Sequence, residues 1–158
     1  MISLKKRILS ILLALWMAFI FSMSSQNSEI SSNTSGGTIR IVLSFVPKFA
    51  EQSEEVQEHI IENLQFIVRK SAHFIAYMIL GIILILLILQ FSSINKKPQV
   101  ALALCVFYAI SDEFHQFFVP GRACQLRDVL IDSMGSLTGI LLVLLFLKIF
   151  KVKKSLKN

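Results

Sequence analysis

Four apolar runs, each close to the thickness of a bilayer when coiled into a helix, constrain this chain more than any other feature. They lie at about 8–23, 72–91, 100–118 and 129–149. A helix crossing the hydrocarbon core needs roughly 20 mostly apolar residues. Lipid admits only elements that satisfy their own backbone hydrogen bonds. Of the 158 residues, 54% are hydrophobic and 16% charged, whereas soluble domains carry about a quarter charged residues. The expected fold is all-α: a four-span transmembrane helical bundle, forming one membrane domain over 1–158. The first run is the shortest, and its basic head and apolar middle also fit a signal peptide. No good A-x-A cleavage site follows Phe21, which favours an uncleaved anchor.

The formal net charge is +6, and its placement orients the spans. Lys5, Lys6 and Arg7 precede the first run, Lys96 and Lys97 separate the second from the third, and Lys148, Lys151, Lys153, Lys154 and Lys157 close the chain. Cytoplasmic loops are enriched in Lys and Arg. An even number of spans puts all three basic ends on one side, so both termini are expected in the cytoplasm. Residues 26–70 and 119–127 then face outside, where Arg69, Arg122 and Arg127 run mildly against the rule. A nucleic-acid binder interleaves basic residues with stacking aromatics on an accessible surface; here they flank spans, which sets nucleic acid aside. Cys105 and Cys124 would lie more than about 20 Å apart on a continuous helix, too far for a disulfide.

The first outer loop divides in two. Residues 24–37 are rich in Ser, Asn and Gly and read as irregular and polar. Residues 51–69 read as a short amphipathic surface helix: Val56, Ile60, Leu64 and Ile67 recur at helical spacing, with Glu55, Glu58 and Glu62 elsewhere on the wheel. Between them, residues 39–49 are apolar but too short to span, and Pro47 stops them.

Ionisable residues within spans are costly and usually face a protein interior or a wet cavity. Several occur here at one level. His73 and Tyr77, spaced i, i+4, share a face at the outer end of the second run. Tyr108, Asp112, His115 and Gln116 form a stripe ending the third, with Asp112 about 9 Å below the edge and Glu113 pointing elsewhere. Asp128 and Asp132 share a face at the start of the fourth, followed by Gly135 and Gly139 at the spacing that permits close helix contact. Pro120-Gly121-Arg122 makes a short turn between the last two spans. Arg69, Arg122 and Arg127, with Lys70, surround the same entrance and suit an anionic headgroup or phosphate.

Each residue also has a plain structural role open to it. His73 can hydrogen-bond a carboxylate, the aspartates can form register-fixing ion pairs with Arg69 or Arg127, and the tyrosines can be core or interfacial aromatics. The convergence of the set across three spans is what points to a site. Its candidate catalytic members are His73, Asp112, His115 and Asp128. Its candidate binding members are Arg69, Lys70, Tyr77, Glu113, Gln116, Arg122, Arg127 and Asp132. Two histidines and two or three carboxylates are a donor set for a divalent ion of the Zn or Mn type, although no H-x-x-x-H or H-x-x-E-H pair is present. A His–Asp pair beside arginine also suits acid–base or phosphoryl chemistry on a lipid headgroup. No serine or cysteine nucleophile motif accompanies it.

Several of these pieces are familiar together. Phe21-Ser-Met-Ser-Ser-Gln, Arg69-Lys70-Ser71-Ala72-His73-Phe74 with Tyr77, Ser111-Asp112-Glu113-Phe114-His115-Gln116 running into Pro120-Gly121-Arg122, and Asp128-Val129-Leu130-Ile131-Asp132 with Gly135 and Gly139 resemble the VanZ-like family of small bacterial membrane proteins. The likeness covers essentially the whole chain. Met23 stands where Ser is more usual, and Asp132 where many relatives have Asn. The resemblance implies a multi-pass protein of the bacterial plasma membrane and cell envelope, with a link to teicoplanin-type glycopeptide resistance. It implies no reaction.

Two functions follow as expectations. The first is a non-enzymatic envelope protein that binds a lipid or cell-wall precursor headgroup in its outer polar layer and contributes to glycopeptide tolerance. The second is a membrane-embedded enzyme acting on a lipid-linked substrate through a His/Asp site. Membrane lipids are the expected partners of either. A structural or interaction subunit ranks below both. So does a transporter, since four short spans leave little room for alternating access.

Overall fold

A computed structural model describes residues 3–155. Lys157 of the basic tail lies outside them, as do the side chains of Lys151, Lys153 and Lys154. The described residues form six helices and no strand: α1 (Leu4–Ser24), α2 (Ser28–Leu43), α3 (Pro47–Ala50), α4 (Glu54–Ile88), α5 (Lys97–Gln116) and α6 (Leu126–Ser155). Three of them, α1, α4 and α6, are long and apolar enough to cross a membrane. The run expected at 100–118 is helical as α5. Its 20 residues include Asp112, Glu113 and His115 at one end, which makes it more polar than the other three.

The loop expectations need correction. Residues 28–43 form a helix, not an irregular segment. The Ser35 and Thr38 hydroxyls donate back to carbonyls of the preceding turn, Ser35 to Ser31 at 2.9 Å and Thr38 to Thr34 at 3.0 Å, so polar side chains close onto their own helix. Ile39 and Leu43 then pack with Phe49, Ile60, Ile61, Leu64 and Val68 in a small apolar cluster. Tertiary burial overrides the weak local propensity. The helix expected at 51–69 begins at Glu54, behind Ser53, with Glu54 and Glu55 in its first turn, where carboxylates suit the helix dipole. It is not a separate element, because nothing in Arg69-Lys70-Ser71-Ala72 breaks a helix and it runs on as α4. Its buried stripe is also rotated from the expected one. Ile61 is buried, while Val56 and Ile67 are exposed.

The bundle packs α4 chiefly against α6, with α5 against both and α1 against α4 and α5. Glycines set the α4–α6 distance. A Cβ at Gly135 would strike the Phe74 carbonyl, one at Gly139 the Met78 carbonyl, and one at Gly81 the Ser136 carbonyl. The first two pairs rise together, Phe74 with Gly135 and Met78 with Gly139, which makes α4 and α6 parallel, with α1 and α5 running the other way. Pro98 opens α5 after Lys96, which adopts φ 51°. Gly121 turns the chain towards α6 at φ 73°, a conformation glycine enters without a Cβ penalty.

The main apolar cluster is built from Ile20, Tyr77, Leu80, Ile85, Ala101, Cys105, Ala109 and Ile140 among others. Side chains tie the helices together through backbone carbonyls. Trp16 Nε1 donates to Ala76 O at 2.9 Å and Tyr108 Oη to Met17 O at 2.7 Å. Cross-helix bonds of this kind contribute roughly 0.6–2 kcal/mol in membranes. Tyr108→Phe should therefore lower unfolding stability in mixed micelles by about 1 kcal/mol, read from denaturant titration, without changing helix content. Many large apolar side chains face outward, among them Ile11, Leu15, Phe107, Leu130, Leu141 and Phe146, as lipid-facing helices require.

Candidate functional site

The polar residues converge where α1 and α5 end, α6 begins and α4 passes its midpoint. They form a cavity of about 260 Å³ whose lining includes Arg69, Lys70, His73, Gln116, Arg122, Asp128 and Asp132. Phe66, Met23 and Ile131 contribute apolar wall. The cavity is stratified: cations stand at its mouth and carboxylates at its floor.

At the mouth, Arg122 Nε donates to the Gln26 carbonyl at 2.9 Å and its Nη1 to Gln116 Oε1 at 3.0 Å. Those two bonds use two of the five guanidinium N–H donors and clamp the turn after α5 to the link between α1 and α2. Burial first, then the neighbouring Arg69, holds the Arg122 guanidinium below its ordinary value, against the pull of Asp112, Glu113 and Asp128. Arg69 makes no hydrogen bond or ion pair among the described residues. Lys70 is paired with Asp128, so both of those charges are spoken for. Arg127 lies over the Phe66 ring, 5.1 Å from its centroid, and does not line the cavity.

At the base of the cavity Asp132, 1% exposed, is part of the lining, and Asp112, 3% exposed, lies behind it within reach of His73 and Asp132. Ser24 Oγ donates to Asp112 Oδ2 at 2.7 Å and Gln116 Nε2 to the same oxygen at 3.3 Å. Among the described residues, Asp112 Oδ1, both oxygens of Asp132 and the buried Tyr77 hydroxyl make no hydrogen bond. His73 Nδ1 stands 3.9 Å from Asp132 Oδ1. His73, Asp112 and Asp132 each offer a ligand-type atom, all within 4.8 Å of one another. Three helices supply these three groups.

Most of the expected constellation is thus brought together; besides Arg127 and Asp112, three residues stand apart from the cavity lining. His115 shares the level but faces α1, its ring stacked on Phe21 at 4.4 Å and its Nε2 3.1 Å from Ser25 Oγ. It is not part of the cavity lining. Glu113, expected to point elsewhere, is 2% exposed because the loop after α5 folds over it. The Gln125 backbone N–H donates to its Oε2 at 2.9 Å. That bond ties the loop to α5. Tyr77 is fully buried beneath the floor, its ring 6.0 Å from that of Tyr108. Sequence reasoning gave no role to Ser24, Gln26 or Gln125. Ser24 and Gln26 lie in the Ser-Ser-Gln piece that follows the first run, and that piece was the available signal. Gln125 acts through its backbone, which no side-chain pattern reveals.

An all-helical protein with membrane-length apolar helices and a charge-stratified polar cavity at one end of its bundle is the class that these features define. Within that class the chain belongs to the VanZ/LLP1 family, whose model matches residues 9–147. No curated protein and no solved structure matches the chain.

Proposed function

We propose that this protein binds the phosphate-bearing headgroup of a lipid or cell-wall precursor at the extracytoplasmic face of the bacterial plasma membrane, and so contributes to tolerance of glycopeptide antibiotics. The observation that carries the reading is the mouth of the cavity. Arg69 has no partner among the described residues, Arg122 has donors to spare, and the two repel each other until an anion enters. Arginine forks match phosphate oxygens two at a time. The apolar wall beside them accommodates the start of an acyl or isoprenoid chain.

In this reading α5 is the fourth span, since its roughly 30 Å length matches the hydrocarbon core and its polar end lies at the cavity. Both termini are cytoplasmic. The three basic ends support this. Lys6 lies over Phe91, 4.5 Å from the ring centroid, so the start of α1 sits beside the basic loop between α4 and α5. The first half of α4, with α2 and α3, stands on the outer side as a helical cap.

The test is lipid recovery. Protein purified in mild detergent is expected to carry anionic phospholipid or isoprenoid diphosphate, identified by mass spectrometry, and Arg122→Ala should lower that recovery several-fold. Equal recovery from a folded Arg122→Ala protein would remove the reading.

The floor cluster favours a second reading, an enzyme acting on a lipid-linked substrate. His73 and two carboxylates beside bound phosphate are equipped for proton transfer. Cells carrying His73→Ala or Asp112→Asn should then accumulate a lipid substrate. An unchanged lipid profile with folded variants rules the enzyme out and leaves binding alone.

A further inference from the structure

We infer that His73, Asp112 and Asp132 form a binding site for one divalent transition-metal ion of the Mn2+ or Zn2+ kind. The site lies at the base of the cavity, where His73 and Asp132 line it and Asp112 stands behind them, and does not depend on what binds at the arginines above it.

The argument begins with charge. Asp112 and Asp132 come from different helices, are nearly fully buried, and face a common space. Among the described residues neither is paired with a lysine or arginine, and the one ion-pair contact to the two is that of His73 with Asp132. Lys70 is held by Asp128, and the described bonds of Arg122 go to Gln26 and Gln116. Removing two carboxylates from water without a counter-charge costs several kcal/mol per ion, and more within a membrane. A divalent cation cancels both charges at once.

The geometry agrees. Metal–ligand bonds of about 2.0–2.2 Å place neighbouring ligand atoms roughly 3–4 Å apart. His73 Nδ1 and Asp132 Oδ1 are already 3.9 Å apart, and the whole set spans no more than 4.8 Å, so closing on an ion needs only a small inward movement. The oxygens that would bind are the ones left over. Ser24 and Gln116 take Asp112 Oδ2 and leave Oδ1 unpartnered, an outer arrangement of the kind that orients metal-binding carboxylates. One imidazole with two carboxylates suits Mn2+ or Zn2+ better than Ca2+, which takes six to eight oxygens. Three protein ligands leave positions open towards the cavity, where a water or a phosphate oxygen can complete the shell.

The experiment uses the full chain in detergent, carrying an affinity tag without histidine. Chelator-stripped protein is dialysed against Mn2+ or Zn2+, and bound metal is measured by elemental analysis. About one equivalent per chain is expected, with a rise in melting temperature on loading. Asp132→Asn and His73→Gln should each weaken binding more than about tenfold. His59→Gln, which removes a histidine far along α4, should not. Co2+ loaded into wild-type protein should give the visible absorption of a nitrogen- and oxygen-ligated ion, a readout that needs no variant to fold. Retention well below one equivalent, or equal retention by wild type and folded Asp132→Asn, overturns the inference. Because lipid recovery is measured separately on Arg122→Ala, failure of one result leaves the other standing.

Discussion

Gly139→Ala is expected to cost this protein much of its folded population in mild detergent, while Gly37→Ala costs nothing. Both changes add one methyl group to a helix. At Gly37 nothing lies within 4 Å of the new carbon, and the change removes glycine's helix penalty of about 0.8–1 kcal/mol. At Gly139 the carbon meets the Met78 carbonyl oxygen and carbon and, at 3.2 Å, Ile82 Cγ1. The obstruction is backbone, so no rotamer change relieves it and α4 and α6 must part. Overpacking of this kind costs about 1–3 kcal/mol or more, and in a membrane close packing is itself a main source of helix association. Gly135→Ala should behave likewise against Phe74. Because Phe74 and Gly135 lie close to His73 and Asp132 in sequence, that variant should also disturb the cavity floor. Thermal profiles from detergent size-exclusion chromatography decide the matter. A Gly139→Ala protein that melts with wild type would show that α4 and α6 are not held at this distance.

Arg69→Glu should abolish anion binding more completely than Arg122→Ala, although Arg69 makes no hydrogen bond or ion pair among the described residues. Removing Arg122 subtracts a charge and also releases the turn after α5 from Gln26 and Gln116. Reversing Arg69 instead places a carboxylate beside the Arg122 guanidinium, and the internal pair takes the place of the ligand. Placing like charge before an anionic ligand costs several kcal/mol, and each 1.4 kcal/mol is about tenfold in affinity. Titration of detergent-solubilised protein with a soluble short-chain phosphatidic acid should show at least about a hundredfold weakening. The melting temperature should hold or rise, because the mouth loses a repulsion. Undiminished affinity in Arg69→Glu would move the anion away from this cavity.

Much of this protein is legible before any coordinates. Apolar runs of about 20 residues are read as helices, because a single segment in lipid satisfies its own backbone hydrogen bonds only by coiling. The cost of placing charge among them concentrates His73, Asp112 and Asp132 into one layer. Both arguments need only local information, and both hold. The Gly135 and Gly139 spacing likewise announces close contact, and α4 supplies the partner.

Other features depend on how the helices are rotated and closed against one another. The serine-rich segment is helical because Ile39 and Leu43 find Ile61 across a gap in sequence. His115 and Asp112 sit three residues apart on one helix, yet the first stacks on Phe21 of α1 and the second joins the floor. Glu113 is buried only because a loop folds back and donates Gln125 N–H. The polar residues that three spans bring to one level separate in space into an arginine mouth and a carboxylate base. Periodicity determined which residues share a face and at what depth. Only the tertiary packing, fixed by glycine contacts between α4 and α6 and by the clamp of Arg122, decided which neighbour each face meets and which charges are left without a partner.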